Sequence, residues 1–241
     1  MTVQIPLAIG LRDDASFDNF YAGGNDELLA GLRRAVSGRD SEGAILLWGG
    51  SAAGKTHLLQ AACRAAHEQE LAAAYIPLSE KGELSPDVLE GLEQLNLVCL
   101  DDLQAVAGDE AWETALFHLY NRLFDNGAQL IMAADANVAQ LGIDLPDLRS
   151  RLSWGFVFHL HNLDDQAKLA ALQLRARQRG VEMSDEVGQY LIRRQARDMR
   201  SLFNLLDELD AASLAAQRRL TVPFVRQWLS EQGGERQTSL F

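Results

Sequence analysis

Residues Ala44–Leu59 read AILLWGGSAAGKTHLL, and the rest of the chain is read outward from them. Ile45, Leu46, Leu47 and Trp48 form an apolar run of the length of a buried strand. Gly49 to Thr56 fits G-x-x-x-x-G-K-[ST], and His57 to Ala66 continues as an apolar-rich helix. Strand, glycine-rich loop and helix, in that order, are the context this motif needs; a chance glycine-rich turn would lack them. Successive backbone N–H groups of such a loop converge on phosphate oxygens, and the helix N-terminus adds its positive end. Lys55 is then expected to reach the β- and γ-phosphates and the Thr56 hydroxyl to hold Mg²⁺. The candidate nucleotide contacts are Gly49, Gly50, Ser51, Ala52, Ala53, Gly54, Lys55, Thr56 and the adjoining His57. As a catalytic base His57 is a poor candidate, because a first-turn histidine usually packs or is solvated. No base-specific contact is legible, so ADP, ATP or another nucleoside diphosphate fits the loop.

Around this stretch, strands and helices alternate. Ala72–Leu78 reads as a strand, followed by a short helix from Pro86 with Ser85 as its cap. Leu97–Leu100 is a strand ending in Asp101-Asp102. Ala111–Phe124 is a helix with Trp112, Leu116, Leu119, Tyr120 and Leu123 at helical spacing. Gln129–Ala134 is a strand, Leu145–Leu152 a short helix with Arg149 and Arg151, and Gly155–Leu160 a fifth strand. The expectation is an α/β fold, a five-stranded parallel sheet between helices. After Asn162 the alternation stops. Helices are predicted at Asp164–Arg179, Ser184–Gln195, Asp198–Gln217 and Val222–Glu231, a small all-α bundle. The expected organisation is an extended arm over 1–25, a nucleotide-binding core over 26–162 whose first helix is capped by Asp26, a helical lid over 163–231, and a tail over 232–241.

The second chemical signal is LVCLDD at 97–102. A strand that delivers a carboxylate at its C-terminal end places it beside the phosphate loop. Asp101 is expected to orient Mg²⁺ and Asp102 to face the attacking water. Asp135, just past QLIMAA, points toward the γ-phosphate if its strand lies next to LVCLDD. Arginines on helices are usually solvated, but Arg149, Arg151 and Arg200 are also candidates for phosphate recognition, in cis or in trans.

Bulk properties limit the partners. The 241 residues carry 34 acidic against 22 basic side chains, a formal net charge of −12, which argues against the chain itself gripping a nucleic-acid backbone. Cys63 and Cys99 lie in apolar runs and are expected as buried free thiols of a reducing compartment. No basic-then-apolar leader and no apolar run of membrane length is seen, so a cytoplasmic protein without a membrane partner is expected.

A phosphate loop, LVCLDD, a polar residue after the next strand, an arginine-bearing helix and an α-helical segment with M-R-x-L together resemble the DnaA branch of the AAA+ ATPases, over about residues 4–229. The resemblance is nearest to that branch's regulators, which inactivate the replication initiator DnaA. It implies that Lys55 and Thr56 are Walker A, Asp101 and Asp102 Walker B, and Asp135 sensor 1. It makes Arg151 the arginine finger of S-R-L and Arg200 sensor 2, and sets Phe17, Phe20, Gly23 and Asn25 at the border of the adenine pocket. Most AAA+ proteins have Asp-Glu at Walker B. Asp101-Asp102 sets the candidate base back by about a bond length, in keeping with slow or no turnover of its own. No counterpart of the helix-turn-helix DNA reader of DnaA is expected after the last helix. At the N-terminus Gln4, Leu7 and Ile9 resemble the Q-x-x-L-x-L motif that binds the sliding clamp, the β subunit of DNA polymerase III. At the C-terminus Gln237, Leu240 and Phe241 resemble a second form of it, with glutamine fixing register and apolar side chains filling a pocket. The resemblance therefore implies a nucleotide-bound negative regulator of replication initiation, expected as a homodimer, with clamp and DnaA as partners. A helicase loader and a stand-alone P-loop NTPase or small-molecule kinase are the alternatives.

Overall fold

The computed structural model describes residues 15–37, 43–194 and 198–238. They divide into two compact units at Asn162/Leu163, the boundary expected from the loss of alternation. In the first unit α1 (Asp26–Val36) precedes β1 (Ile45–Trp48), α2 (Lys55–His67), β2 (Ala73–Pro77), β3 (Leu97–Asp101), α3 (Glu110–Asp125), β4 (Gln129–Ala134), α4 (Pro146–Trp154) and β5 (Phe156–His159). The strands form one sheet in the order β2-β3-β4-β1-β5, with every pair parallel. Leaving β1, the chain crosses β4 and β3 to reach β2 and later returns to β5 on the other side. The strand order therefore reverses at β1, where open α/β sheets bind ligands outside the strands' carboxyl ends.

Apolar residues sit on both faces of the central strands, as a sheet covered on both sides requires. Leu46, Val98, Leu100, Leu130 and Met132 face one core with Leu116 and Leu119 of α3 and Leu148 and Leu152 of α4. Ile45, Leu47, Leu97, Cys99, Ile131 and Ala133 face the other with Leu28 and Leu32 of α1 and Leu58, Leu59 and Ala62 of α2. Cys63 and Cys99 are free thiols buried in this second core, and burial pushes the Cys99 thiol up. The outer strand β5 is the exception: Phe156 is 52% and Val157 40% exposed.

The first described turn departs from the expected arm. Residues Phe17–Asn19 close a 3-10 turn in which the Ser16 and Asn19 side chains each accept from the other's backbone N–H. This capping box seats Phe17 in the core beside α1 and α2. Asn25, not Asp26, precedes the first residue of α1, and Ser85 makes no capping bond to the 3-10 turn Pro86–Leu89.

One buried carboxylate organises the connections around α3. Glu113, 1% exposed, accepts from the backbone N–H groups of Gly108 at 2.7 Å, Asp144 at 3.0 Å and Leu145 at 2.7 Å. It ties the loop before α3 and the loop before α4 to the same helix.

In the second unit α5 (Asp165–Gln178), α6 (Asp185–Arg194), α7 (Met199–Ala216) and α8 (Val222–Thr238) enclose Leu172, Leu191, Leu202, Leu206, Leu209 and Val225. Asp164 caps α5 through the Ala167 N–H and Asp198 caps α7 through the Ser201 N–H, at 2.7 and 2.9 Å. Arg175 grips Asp207 through two nitrogens, at 3.2 and 2.8 Å, joining α5 to α7. The last helix runs past Glu231 to Thr238, into the stretch expected as a tail. Among the described residues no helix is long and apolar enough to cross a membrane.

Candidate nucleotide-binding site

Because β1 lies beside β4 and β4 beside β3, the ends of three neighbouring strands deliver the phosphate loop, Asp135 and Asp101 to one edge of the sheet. The loop is tied to that edge where the Gly49 N–H donates to the Ala134 carbonyl at 3.2 Å. At Gly49 the chain passes so close to the strand β5 connection that a Cβ would lie 2.5 Å from the Leu160 carbonyl oxygen. Gly54 has φ +103°, where side chains are disfavoured, and a Cβ there would meet the Phe20 ring at 2.7 Å. Gly50, Ser51 and Ala52 form the exposed crest, with Ala52 also left-handed at φ 58°.

Lys55 lies back across this loop. Its ammonium donates to the carbonyl oxygens of Gly49 at 2.7 Å and Gly50 at 2.9 Å. Burial pulls its pKa below the ordinary value, and Asp101, Asp102 and Asp135 push it back up. All three acidic residues singled out in the sequence therefore surround the one lysine of the motif.

Asp101 is 1% exposed and fully engaged. It accepts from the Tyr75 hydroxyl at 2.8 Å, from the Asp102 N–H at 3.0 Å, and from the Thr56 hydroxyl. Burial raises its pKa, while the bonds from Thr56 and Tyr75 lower it. Tyr75 is raised in turn, first by burial and then by the adjacent carboxylate, so it remains a donor. A hydroxyl and a carboxylate held against each other are hard oxygen donors of the kind Mg²⁺ takes. Among the described residues no group of three or more His, Cys, Asp or Glu is placed to hold a metal ion. Two protein oxygens with phosphates completing the shell is the usual pattern for Mg²⁺ at nucleotides. The residues present thus fit both a nucleotide phosphate and its cation.

The remaining candidates are distributed as follows. Asp102 is left-handed, φ 58° and ψ 49°, at the start of the 3-10 turn Leu103–Ala105. Asp135 is exposed at the end of β4. Phe20 leans on Gly54 and lies 5.8 Å from the His57 ring, whereas Phe17 is buried beneath Arg33. Gly23 is exposed with φ 53°. Asn25 is buried; its side chain accepts from the His161 N–H at 3.1 Å and donates to the Ala22 carbonyl at 2.8 Å, linking the chain start to the end of β5. Its polar atoms serve the backbone. His57 reaches the Ser16 carbonyl through Nε2 at 3.0 Å.

Arg151 is not gathered with these groups. Its guanidinium lies 5.8 Å from the Tyr120 ring and 5.7 Å from the Trp154 ring. Arg149 is exposed on the same helix, and Arg200 is exposed in the first turn of α7 in the second unit. Gln4, Leu7, Ile9, Leu240 and Phe241 lie outside the described residues, and of Gln237 only its place in α8 is described.

Sequence reasoning missed Tyr75, Gln104 and Glu113. Only Gln104 left a local signal, a polar side chain two residues past Asp102 in a tight turn.

Residues 11–159 match the family described as the bacterial DnaA ATPase domain, and residues 165–229 match the one described as the Hda lid domain. Among solved structures, domain III of the Thermotoga maritima replication initiation protein DnaA has a TM-score of 0.73 at 22% identity, covering 92% of this chain and 98% of that one. AMPPCP-bound DnaA from Aquifex aeolicus has a TM-score of 0.71 at 23% identity over 83% of this chain. The match spans 66% of that DnaA's own length. The RuvB Holliday junction branch migration motor of Thermotoga maritima has a TM-score of 0.68 at 17% identity, covering 88% and 70%. These structural likenesses establish the AAA+ fold. With the first match covering more than half of its length, the chain belongs to the family of the bacterial DnaA ATPase domain, as an AAA+ protein whose helical segment is of the Hda lid type.

Proposed function

We propose that the protein is a nucleotide-bound regulator of replication initiation of the Hda kind. It holds ADP or ATP with Mg²⁺ through Gly49–Thr56 and Asp101, and it acts on ATP held by DnaA. Asp102 faces the attacking water in its own site and Asp135 the γ-phosphate. Slow turnover is expected there, because Asp102 is one methylene shorter than glutamate and a misplacement near 1 Å costs ~10²-fold. The observation that carries the reading is the separation of roles. Lys55 is held on the loop carbonyls and Thr56 on Asp101 at one edge of the sheet, while Arg151 lies against Tyr120 and Trp154 and makes no ion pair among the described residues. A partly buried arginine whose guanidinium lies against two rings is oriented yet available to another protein's phosphates. Supplied in trans, such a finger neutralises transition-state charge and is worth ~10³–10⁵ in rate.

Gln4, Leu7 and Ile9 are the proposed tether to the DNA-loaded sliding clamp, with Gln237, Leu240 and Phe241 as a second contact, and the active form is a homodimer. The test is hydrolysis of DnaA-bound ATP in the presence of clamp and DNA. Arg151→Ala is expected to abolish stimulation while leaving the protein's own nucleotide affinity unchanged; undiminished stimulation refutes the mechanism. Gln4→Ala and Gln237→Ala, assayed separately for clamp binding, decide which end is the tether.

A further inference from the structure

Two of the acidic groups around Lys55 are joined by a side chain outside any motif. Gln104, in the turn directly after β3, donates from Nε2 to Asp102 Oδ1 at 3.0 Å. Its Oε1 accepts from the backbone N–H of Asp135 at 3.1 Å. Both ends of the amide are used, so its orientation is determined. A flip would turn oxygen toward a carboxylate and NH₂ toward an N–H, both repulsive. Asp102 itself is left-handed, a conformation that side chains disfavour. A residue kept there by a bond from two positions onward is held, not relaxed.

We propose that Gln104 is a positioning residue for Asp102: it pins Oδ1 to the end of β4 and leaves Oδ2 to accept from the water that attacks the γ-phosphorus. The inference rests on the reading that Asp102 faces that water. In the step concerned, the water oxygen bonds to phosphorus and the bond to the β–γ bridging oxygen breaks. The electron pair stays on the departing diphosphate, and the water proton passes to the Asp102 carboxylate. Gln104 touches neither water nor phosphate and acts only by fixing one oxygen of the group that does. Because the Asp135 N–H is its other anchor, Asp102 and the β4 end move as one piece.

The test is single-turnover hydrolysis of bound ATP over hours, with nucleotide Kd measured in parallel on the full chain. Gln104→Glu keeps size and the acceptor for Asp135 but removes the donor to Asp102. It is expected to slow hydrolysis about 10- to 100-fold with Kd within about twofold of wild type. In an Asp102→Asn background the same change is expected to do nothing further, because two residues acting through one group are non-additive. Gln104→Glu hydrolysing at the wild-type rate while Asp102→Asn does not overturns the proposal and leaves the reading of Asp102 standing. Multiplicative effects overturn it equally. Asp102→Asn turning over like wild type, or a wild type with no turnover at all, overturns the reading of Asp102 and the proposal with it.

Discussion

Replacing Gly54 with alanine tests how the phosphate loop is supported. Two penalties are read from the structure. The first is conformational: φ is +103°, and an L-residue held in left-handed backbone costs about 1–2 kcal/mol. The second is steric. The new Cβ would stand 2.7 Å from Phe20 Cε2, and the ring behind it is backed by His57 at 5.8 Å. Overpacking of this kind costs about 1–3 kcal/mol, so Gly54→Ala is expected to destabilise the ligand-free protein by about 3 kcal/mol in all. Phe20→Ala removes the steric part alone. In that background Gly54→Ala should cost only the conformational part, about 1–2 kcal/mol. The difference is the coupling between loop and N-terminal segment. Urea unfolding followed by tryptophan fluorescence reads it, since Trp48, Trp112 and Trp154 all report on the first unit. An equal penalty in both backgrounds would refute the claim that Phe20 closes over the loop.

Two further outcomes concern elements away from the loop. Glu113→Gln places an NH₂ where backbone donors converge and should cost about 3 kcal/mol, with the Gly108, Asp144 and Leu145 amides losing protection in hydrogen exchange while those of the second unit keep theirs. Asp198→Ala removes the cap of α7 and should cost about 1 kcal/mol near neutral pH. The Ser201 backbone N–H holds the Asp198 carboxyl below its ordinary value of 3.8, so this stabilisation is complete above that pH and is lost as the pH falls through the folded-state value. The gap between wild type and variant should therefore close in acid and be full at pH 6.

What the sequence makes legible here is whatever repeats or signals locally. β4 spans Gln129–Ala134 as its apolar run predicts, and the spacing of Trp112, Leu116, Leu119 and Tyr120 marks α3. The motif at 49–56 announces Lys55, Thr56 and the glycines by position alone. The adjacency of β3 and β4, on which Asp135 depended, needed the fold. Tyr75 and Asp101 meet across two strands, and Glu113 reaches amides 31 and 32 residues away. Neither pairing has a sequence period to betray it. Phe17 reads as part of an arm for a related reason, since a three-residue turn is too short to show helical spacing and its box becomes visible only once both side chains are placed.

Glu113 also bears on how the chain can diverge. What this carboxylate reads is main-chain N–H, not the side chains of residues 108, 144 and 145. As far as this anchor is concerned, positions 144 and 145 accept any residue with an amide hydrogen, whereas position 108, at φ +77°, also favours glycine. Proline is the exception, having no such hydrogen. Pro146 stands immediately beyond the last anchored amide, at the first helical position, where that missing hydrogen is not called upon. The anchor thus constrains backbone rather than side chain at 144 and 145, up to the residue before the helix that carries Arg151, while Val106, Leu141 and Ile143 hold the same loops to the core by their side chains.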